Sequence, residues 1–222
     1  MVDYTAPERG HTALLTVNAQ CDFVASGSPL RACGASAVVP VIERLVKGAR
    51  AQKVPIIHAV RLYRPDGTNV DCFRRQAVEE GLRVLMPGTH GAELVKEVKP
   101  GSDVRLEASH LIAGNLQELG SNEWAVYKPR WGAFHGTKLD ALLNSLGVTT
   151  VIVCGFNFST SGRATVYEAG ARDFRIVLVP DAVSGASEQA IAELGRIGVY
   201  LMTADNCLGW LRNAKASETA VA

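Results

Sequence analysis

Three polar residues, each just beyond a short apolar run, are the candidates for chemistry in this chain: Asn18, Lys128 and Ser161. Ser161 lies where the β-branched run Thr149–Cys154 passes through a polar loop into a helix-like segment. α/β proteins aim a nucleophile at a ligand through this strand–loop–helix arrangement, and the helix N-terminus supplies unpaired backbone N–H donors. A serine hydroxyl at this point attacks a carbonyl carbon only when a base takes its proton.

Each candidate also has an ordinary structural explanation. Asparagine is common in the turn after a strand, serine often caps a helix, and most lysines lie in solvent. The three residue types acquire a shared function only when the fold gathers them in one place. In that case we expect Lys128 to be the only charge deep in the crevice.

The elements between the candidates alternate between short apolar runs and amphipathic segments. The predicted strands are Thr12–Val17, Val54–Val60, Glu123–Tyr127, Thr149–Cys154, Arg175–Val179 and Val199–Met202. The predicted helices are Ala35–Gln52, Lys138–Leu146, Thr160–Arg172 and Ser187–Ile197, with Pro40 expected in the first turn of the first one. This alternation predicts a single α/β domain over residues 1–222: a three-layer, Rossmann-like parallel sheet flanked by helices. Parallel strands end at one edge of such a sheet, so the three candidates should meet there.

The stretch from Arg61 to Asn122 interrupts this alternation. It is rich in glycine, proline and charged residues and has only weak periodicity. A long excursion of this kind usually covers a site or builds an oligomer contact. We expect it to shape the substrate specificity.

Composition excludes several classes of function. The 23 basic and 22 acidic residues are evenly mixed, so no basic stripe predicts a nucleic-acid partner. No apolar run reaches the roughly 18 residues of a membrane span, and MVDYTAPERGHTALL is not expected to act as a secretory signal. The 5 cysteines are widely spaced and form no Cys-x-x-Cys pair. They are predicted to be reduced thiols of a cytoplasmic protein.

Taken together, the segments that follow the strands resemble the isochorismatase-like family, also called cysteine hydrolases, from about Thr12 to about Leu211. The runs KPRWGAFHGTKLDALLNSLGVTTVIVCG and YEAGARDFRIVLVPDAVSG carry the likeness most clearly. The resemblance implies a three-layer α/β fold, a small-molecule substrate and a homodimer or homotetramer. No cofactor is predicted.

Amidohydrolases of that family use an Asp as base, a Cys as nucleophile and a Lys that supports the charges. The resemblance places the Lys on Lys128. It places the Asp on Asn18, where VNAQCDF stands for the family's D-x-Q-x-D-F, and the Cys on Ser161. A carboxamide cannot accept the nucleophile's proton, and a serine hydroxyl ionises far less readily than a thiol. Ordinary amide hydrolysis is therefore not expected.

Residues near the altered triad are predicted to contact the substrate. They are Phe23, Trp131, Phe134, Phe156 and Asn157. Asp22 is interpreted as ordering its loop, His58 as a hydrogen-bonded core histidine and Cys154 as a small buried hydrophobe. The run HAVRLYRPDG lacks the Asp and His spacing of the nicotinamidase branch, so no metal is predicted.

Three accounts of the altered triad stay open at this point. The pocket is repurposed, as in secondary metabolism, to bind a carbonyl- or amide-bearing metabolite or to catalyse a cyclisation or elimination. NFSTSGR, where close relatives read NFPNCPR, favours this account. Alternatively, the chain is an Asp-to-Asn and Cys-to-Ser variant of a conventional amidohydrolase. In the third account Lys128, lacking a carboxylate partner, has a lowered pKa and activates Ser161. A protein-binding module would instead have a filled pocket.

Overall fold

The computed structural model describes residues 2–213 and builds them around one sheet. The strands are β1 (Thr12–Val17), β2 (Ile56–Val60), β3 (Leu116–Gly120), β4 (Glu123–Tyr127), β5 (Thr150–Gly155), β6 (Arg175–Val183) and β7 (Tyr200–Leu201). The α-helices are α1 (Ala35–Ala51), α2 (Cys72–Glu79), α3 (Ala108–Ile112), α4 (Leu139–Ser145), α5 (Arg163–Gly170), α6 (Glu188–Arg196) and α7 (Ala204–Arg212). The strand order is β3-β4-β2-β1-β5-β6-β7.

The sheet is covered on both faces, as predicted. Leu14 of β1 belongs to one apolar cluster, with α1 and α7, whereas Ala13 and Leu15 belong to a second one, with α4, α5 and α6. Because successive residues of a strand point to opposite faces, a strand buried on both sides is apolar throughout. The continuous runs read in the sequence are therefore the central strands, and the three-layer α/β fold is confirmed.

One edge of the sheet corrects the prediction of an all-parallel sheet. Strand β3 lies inside the excursion, where no strand was predicted, and it pairs antiparallel with β4. Its residues alternate between buried and more exposed, because an edge strand has one face towards solvent. Asn122 in the connecting turn has a φ of 58°, a left-handed conformation that asparagine tolerates. The excursion also holds α2 and α3, which were not predicted.

Two helices also differ from their predicted form. Pro40 lies beyond the first turn of α1, which begins at Ala35. The segment predicted as one helix from Thr160 begins instead as a π-helical turn, Phe158–Gly162, and continues as α5. Helix α7 was not predicted. It packs tightly on α1, because a Cβ added to Gly48 would lie 2.2 Å from a methyl carbon of Leu208.

The carboxyl ends of β1 and β5 approach closely at the edge where the candidates lie. Gly155 has a φ of 120°, and a Cβ there would lie 2.2 Å from the carbonyl oxygen of Val17. Only glycine fits this contact, which holds the loop after β5 beside the loop after β1.

Within residues 2–213, none of the helices combines the length and the apolar character needed to cross a bilayer.

Candidate active site

The fold brings the three candidate residues to the same edge of the sheet. Asn18 follows β1, Lys128 follows β4, and Ser161 lies in the π turn after β5. All three are buried. Lys128 Nζ lies 3.2 Å from Ser161 Oγ, within hydrogen-bond distance. Lys128 and Ser161 therefore form a direct pair, in line with the expectation that strand ends converge.

Asn18 is held by the loop that leads to Ser161. Its Nδ2 donates to the carbonyl of Phe156 at 2.9 Å, and its backbone has a φ of 54°. The other amide atom, Oδ1, is buried and accepts no hydrogen bond from residues 2–213. A buried acceptor without a donor is costly, so this orientation of the Asn18 amide carries a free-energy penalty.

Lys128 is not a surface lysine, because its side chain is fully buried. Besides Ser161, Nζ contacts the carbonyl oxygens of Arg130 at 3.3 Å and Trp131 at 3.1 Å. Burial, followed by repulsion from Arg61 and Arg74, holds the pKa of Lys128 well below its ordinary value. The lysine is therefore shifted towards its neutral amine.

Lys128 Nζ lies within hydrogen-bond distance of three acceptors, and in its ammonium form it donates to all of them. In its neutral form two N–H donors remain for the carbonyls of Arg130 and Trp131, which only accept hydrogen bonds. The lone pair of the neutral amine would then face the hydroxyl of Ser161, which is able to donate. Only in this neutral form is Lys128 able to accept the proton of Ser161.

Ser161 is not a helix cap, which was the alternative explanation of its presence. It lies within the π turn, and the carbonyl of Asn157 accepts hydrogen bonds from the N–H groups of Thr160 at 3.3 Å and Gly162 at 3.2 Å. The carbonyl of Ser161 accepts from the hydroxyl of Thr165 at 2.7 Å. The hydroxyl of Ser161 is thus left to face Lys128.

A second group of buried charges corrects the expectation that Lys128 stands alone. Arg61 and Asp71 are both buried and form an ion pair through Asp71 Oδ2. Burial by itself would raise the pKa of Asp71, but the Arg61 charge and the Tyr63 hydroxyl bring it below its usual value. Arg61 Nη1 also donates to the backbone carbonyl of Lys128 at 3.4 Å. These charges come from the excursion and surround the lysine.

Gln20 anchors the excursion to the strand end that carries Asn18. Its Nε2 donates to the carbonyls of Arg61 at 2.8 Å and Ala92 at 2.6 Å, and its Oε1 accepts from Arg61 N at 2.7 Å. Neither Gln20 nor the Arg61–Asp71 pair was predicted as functional. The dense charge of RLYRPDGTNVD was the signal for the ion pair, and the glutamine of the D-x-Q-x-D-F pattern was the signal for Gln20.

A cavity of about 410 Å³ lies beside the Lys128–Ser161 pair. It is lined by Asp71, Cys72, Phe73, Arg130, Trp131, Gly132, His135, Ala164 and Glu168. Trp131 connects it to the pair, because the carbonyl of this residue accepts from Lys128 Nζ. A Cβ at Gly132 would lie 2.1 Å from the carboxylate carbon of Glu168, so a larger residue there would displace this side chain from its hydrogen bonds to Phe134 N and His135 N. A larger cavity of about 530 Å³, around Lys99 and Arg105, contains none of the candidate residues.

Comparison with known proteins identifies the family of this chain. The Isochorismatase domain matches residues 12–206. The chain belongs to the isochorismatase family. It is 29% identical over 199 residues to a probable inactive nicotinamidase of Arabidopsis thaliana, covering 87% of this chain and 92% of the relative. It is 24% identical over 228 residues to a ureidoacrylate amidohydrolase of Methylorubrum extorquens, covering 95% and 82%. An isochorismatase family protein of Desulfovibrio vulgaris superposes with a TM-score of 0.77 at 30% identity, covering 91% and 98%.

In this isochorismatase-family chain, one of the five predicted substrate contacts lines the cavity, namely Trp131. Phe23 and Phe156 are buried in the apolar cluster on the α1 side. Phe134 lies in the opposite cluster, 5.7 Å from the ring of Phe174. Asn157 Oδ1 accepts from the hydroxyl of Ser159 at 2.8 Å. The three phenylalanines are buried in the apolar clusters and do not line this cavity. Substrate contact by these three residues and by Asn157 stays a prediction.

Other sequence interpretations concern residues outside the pair. His58 is buried and bonds Glu123 Oε1 at 2.8 Å and Thr16 Oγ1 at 2.7 Å, which agrees with a hydrogen-bonded core histidine. Asp22 Oδ2 accepts from Leu85 N at 2.6 Å and so orders its loop. Cys154 is buried, and burial raises the pKa of its thiol.

Metal ligands were not predicted. Across residues 2–213 no three His, Cys, Asp or Glu side chains come together as a metal site would need. Function without a metal stays a prediction.

The state of Lys128 predicts a pH dependence of stability. In an unfolded chain the pKa of a lysine is about 10.4, whereas the pKa of Lys128 in the folded protein is lower. At a pH between these two values the unfolded chain therefore binds more protons than the folded protein. Stability should therefore rise with pH in this window, by up to about 1.4 kcal/mol per pH unit for this group. Urea unfolding of the native protein and of Lys128→Met over a series of pH values measures the difference. Parallel pH profiles for the two proteins would contradict a lowered pKa.

Proposed function

We propose that this chain is a small-molecule enzyme in which Ser161 is the nucleophile and Lys128 its base, acting on a carbonyl- or amide-bearing substrate. The observation that carries the proposal is the 3.2 Å contact between Lys128 Nζ and Ser161 Oγ, with the other two Nζ contacts going to carbonyl oxygens. No carboxylate in residues 2–213 forms a salt bridge with Lys128. The amine is thus available as a base.

The proposed reaction proceeds in two steps. Lys128 takes the proton of Ser161 while Oγ bonds to the carbonyl carbon, and the protonated amine then gives this proton to the leaving group. The product is an ester on Ser161. Water attacks this ester with Lys128 again accepting a proton, which releases the acid and restores the hydroxyl. The cavity beside Trp131 is where the substrate would bind.

The relatives support a substrate that contains an amide-type bond. One is named a ureidoacrylate amidohydrolase, and another a probable inactive nicotinamidase. By family resemblance, this chain carries Asn18 and Ser161 where those enzymes' relatives have Asp and Cys. The Ser–Lys pair offers a way to retain acyl chemistry after both exchanges.

Binding without hydrolysis is the second candidate. Two observations favour it: the amide of Asn18 cannot act as a base, and Ser161 is only 5% exposed. In that case the pocket has been repurposed for binding or for a non-hydrolytic reaction. The two candidates differ in whether Ser161 becomes covalently modified.

Acylation of Ser161 tests the choice between them. The protein is mixed with p-nitrophenyl acetate, and the acetylated residue is identified by peptide mass spectrometry. Ser161→Ala should lose the modification, whereas Ser159→Ala should retain it, because Ser159 is an exposed serine of the same turn. Absence of acetyl transfer to Ser161 in the folded protein would leave binding as the function.

We also propose a homodimer or homotetramer, as the family resemblance implies, located in the cytoplasm, as the widely spaced cysteines predict. Light scattering at micromolar concentration measures the mass. A value near the 23.7 kDa of a single chain would contradict the oligomer.

A further inference from the structure

The two carboxylate oxygens of Asp71 differ in their hydrogen bonding. Oδ2 pairs with Arg61, accepts from the Tyr63 hydroxyl at 2.8 Å and lies 3.9 Å from Arg74 Nη1. Oδ1 is buried and accepts no hydrogen bond from residues 2–213. The side chain is 3% exposed and belongs to the wall of the cavity beside Lys128. A carboxylate oxygen accepts strongly, so an unpaired one in a residue that lines a ligand-sized cavity points to a missing donor.

We propose that Asp71 Oδ1 accepts an N–H hydrogen bond from a ligand whose planar part packs beside Trp131. Trp131 and Phe73 line the same cavity, and their rings are stacked with centroids 4.6 Å apart. An aromatic wall with one polar acceptor is the usual composition of a small-molecule subsite. The inference rests on the proposed function only in treating this ligand as the substrate.

The surrounding charges select a neutral donor. Arg61 and Arg74 already compensate the charge of Asp71, and Arg130 lies in the same cavity wall, so a cationic ligand would meet repulsion. An anionic ligand would meet Asp71 itself and Glu168. A carboxamide or a ring N–H on a planar group satisfies Oδ1 without adding charge. The subsite thus selects planar, neutral N–H donors.

Four benzene derivatives separate these possibilities: benzamide, benzamidine and benzoate, which are equal in size, and N,N-dimethylbenzamide, which has two methyl groups in place of the N–H donors. Cys72 reports binding, because it lines the cavity and is exposed to alkylation by iodoacetamide. Cys33 is an internal control, since it is exposed but lies outside the cavity. Benzamide should protect Cys72 at concentrations roughly tenfold or more below those of the other three compounds, with Cys33 unaffected. Equal protection by N,N-dimethylbenzamide, or none by benzamide, would overturn the subsite.

Asp71→Asn examines the acceptor itself. Arg61 and the Tyr63 hydroxyl both donate to Oδ2, so they would orient the new amide with its oxygen towards them and its NH₂ towards the cavity. A donor would then face the donor of benzamide, and protection of Cys72 should weaken roughly tenfold or more. Asp66→Asn is the matched control, because Asp66 is an exposed carboxylate of the same excursion. If Asp71→Asn does not fold, the four-compound series on the native protein still decides.

The subsite and the proposed catalysis can fail separately. Ser161→Ala removes the nucleophile but leaves Asp71 and Trp131 in place, so benzamide should still protect Cys72 in this variant. Protection without acetyl transfer to Ser161 in the native protein would overturn the catalytic proposal alone. Acetyl transfer without selective protection by benzamide would overturn the subsite alone.

Discussion

Replacing Lys128 with methionine is expected to slow acetyl transfer to Ser161 by about 100- to 10,000-fold, the usual contribution of a general base. The physical reason is the 3.2 Å contact between Nζ and Oγ, through which the amine removes the hydroxyl proton. Methionine keeps most of the apolar volume of the side chain and removes its nitrogen. The native rate should rise with pH through a single ionisation that lies below the ordinary lysine range, because burial lowers the pKa of Lys128.

The control for this substitution is Lys138→Met. Lys138 is exposed and bonds Asn115 at 3.1 Å, away from the cavity wall, so its loss should leave the acylation rate unchanged. Circular dichroism checks the fold of Lys128→Met, since the carbonyls of Arg130 and Trp131 lose their donor. A folded Lys128→Met protein that is acylated at the native rate would remove Lys128 from the mechanism.

The double substitution Asn18→Asp with Ser161→Cys is expected to create a thiol that reacts with iodoacetamide faster than in either single variant. A carboxylate at position 18, at the same edge of the sheet as Lys128, should favour the ammonium form of the lysine. An ammonium group 3.2 Å from the position now held by Ser161 Oγ should favour the thiolate of the introduced cysteine. The two groups act as one unit, so single exchanges should do little. The thiol should show a lowered pKa in its rate profile.

The Asn18→Asp exchange removes one buried hydrogen bond of the native protein. Asn18 Nδ2 donates to the carbonyl of Phe156 at 2.9 Å, and a carboxylate oxygen in that position would face the carbonyl without a proton. The new side chain must therefore turn away from Phe156. Weak amide hydrolysis is the most that should appear, because Ser159, Thr160 and Gly162 also differ from the pattern of close relatives.

Mass spectrometry of the peptide containing position 161 separates the introduced thiol from the native cysteines. Ser159→Cys provides the reference, since it places an exposed thiol in the same turn. An introduced thiol at position 161 that reacts no faster than this reference would show that positions 18, 128 and 161 do not act together. The correspondence with the family triad would then be wrong.

The burial of the site bears on all of these experiments. Asn18, Lys128 and Ser161 are 2%, 0% and 5% exposed, and none of them lines the cavity. The carbonyl of Trp131 connects the cavity to Lys128, and helix α5 connects it to Ser161. A low exposure keeps water from solvating the amine, which is why the lysine pKa falls. The same burial limits access to Ser161, so the reagents must be small.

Local sequence patterns were sufficient to predict the α/β architecture and the proximity of Lys128 and Ser161. Central strands such as Thr12–Val17 are buried on both faces, and this requirement appears as a continuous apolar run. Parallel strands end at one edge of a sheet, so the sequence predicts that Lys128 and Ser161 lie close together. The interpretation of His58 as a bonded core residue followed from its place inside an apolar strand.

The packing and the charges around Lys128 and Ser161 could not be predicted from the sequence. Strand β3 and the Arg61–Asp71 pair lie in a stretch without periodicity, and their burial depends on contacts with distant parts of the chain such as Gln20. Whether Phe156 packs in the core or at the cavity depends on how the loop after β5 folds. The charge state of Lys128 has the same origin, because it follows from complete burial beside two arginines, and neither burial nor proximity is a local property of the sequence.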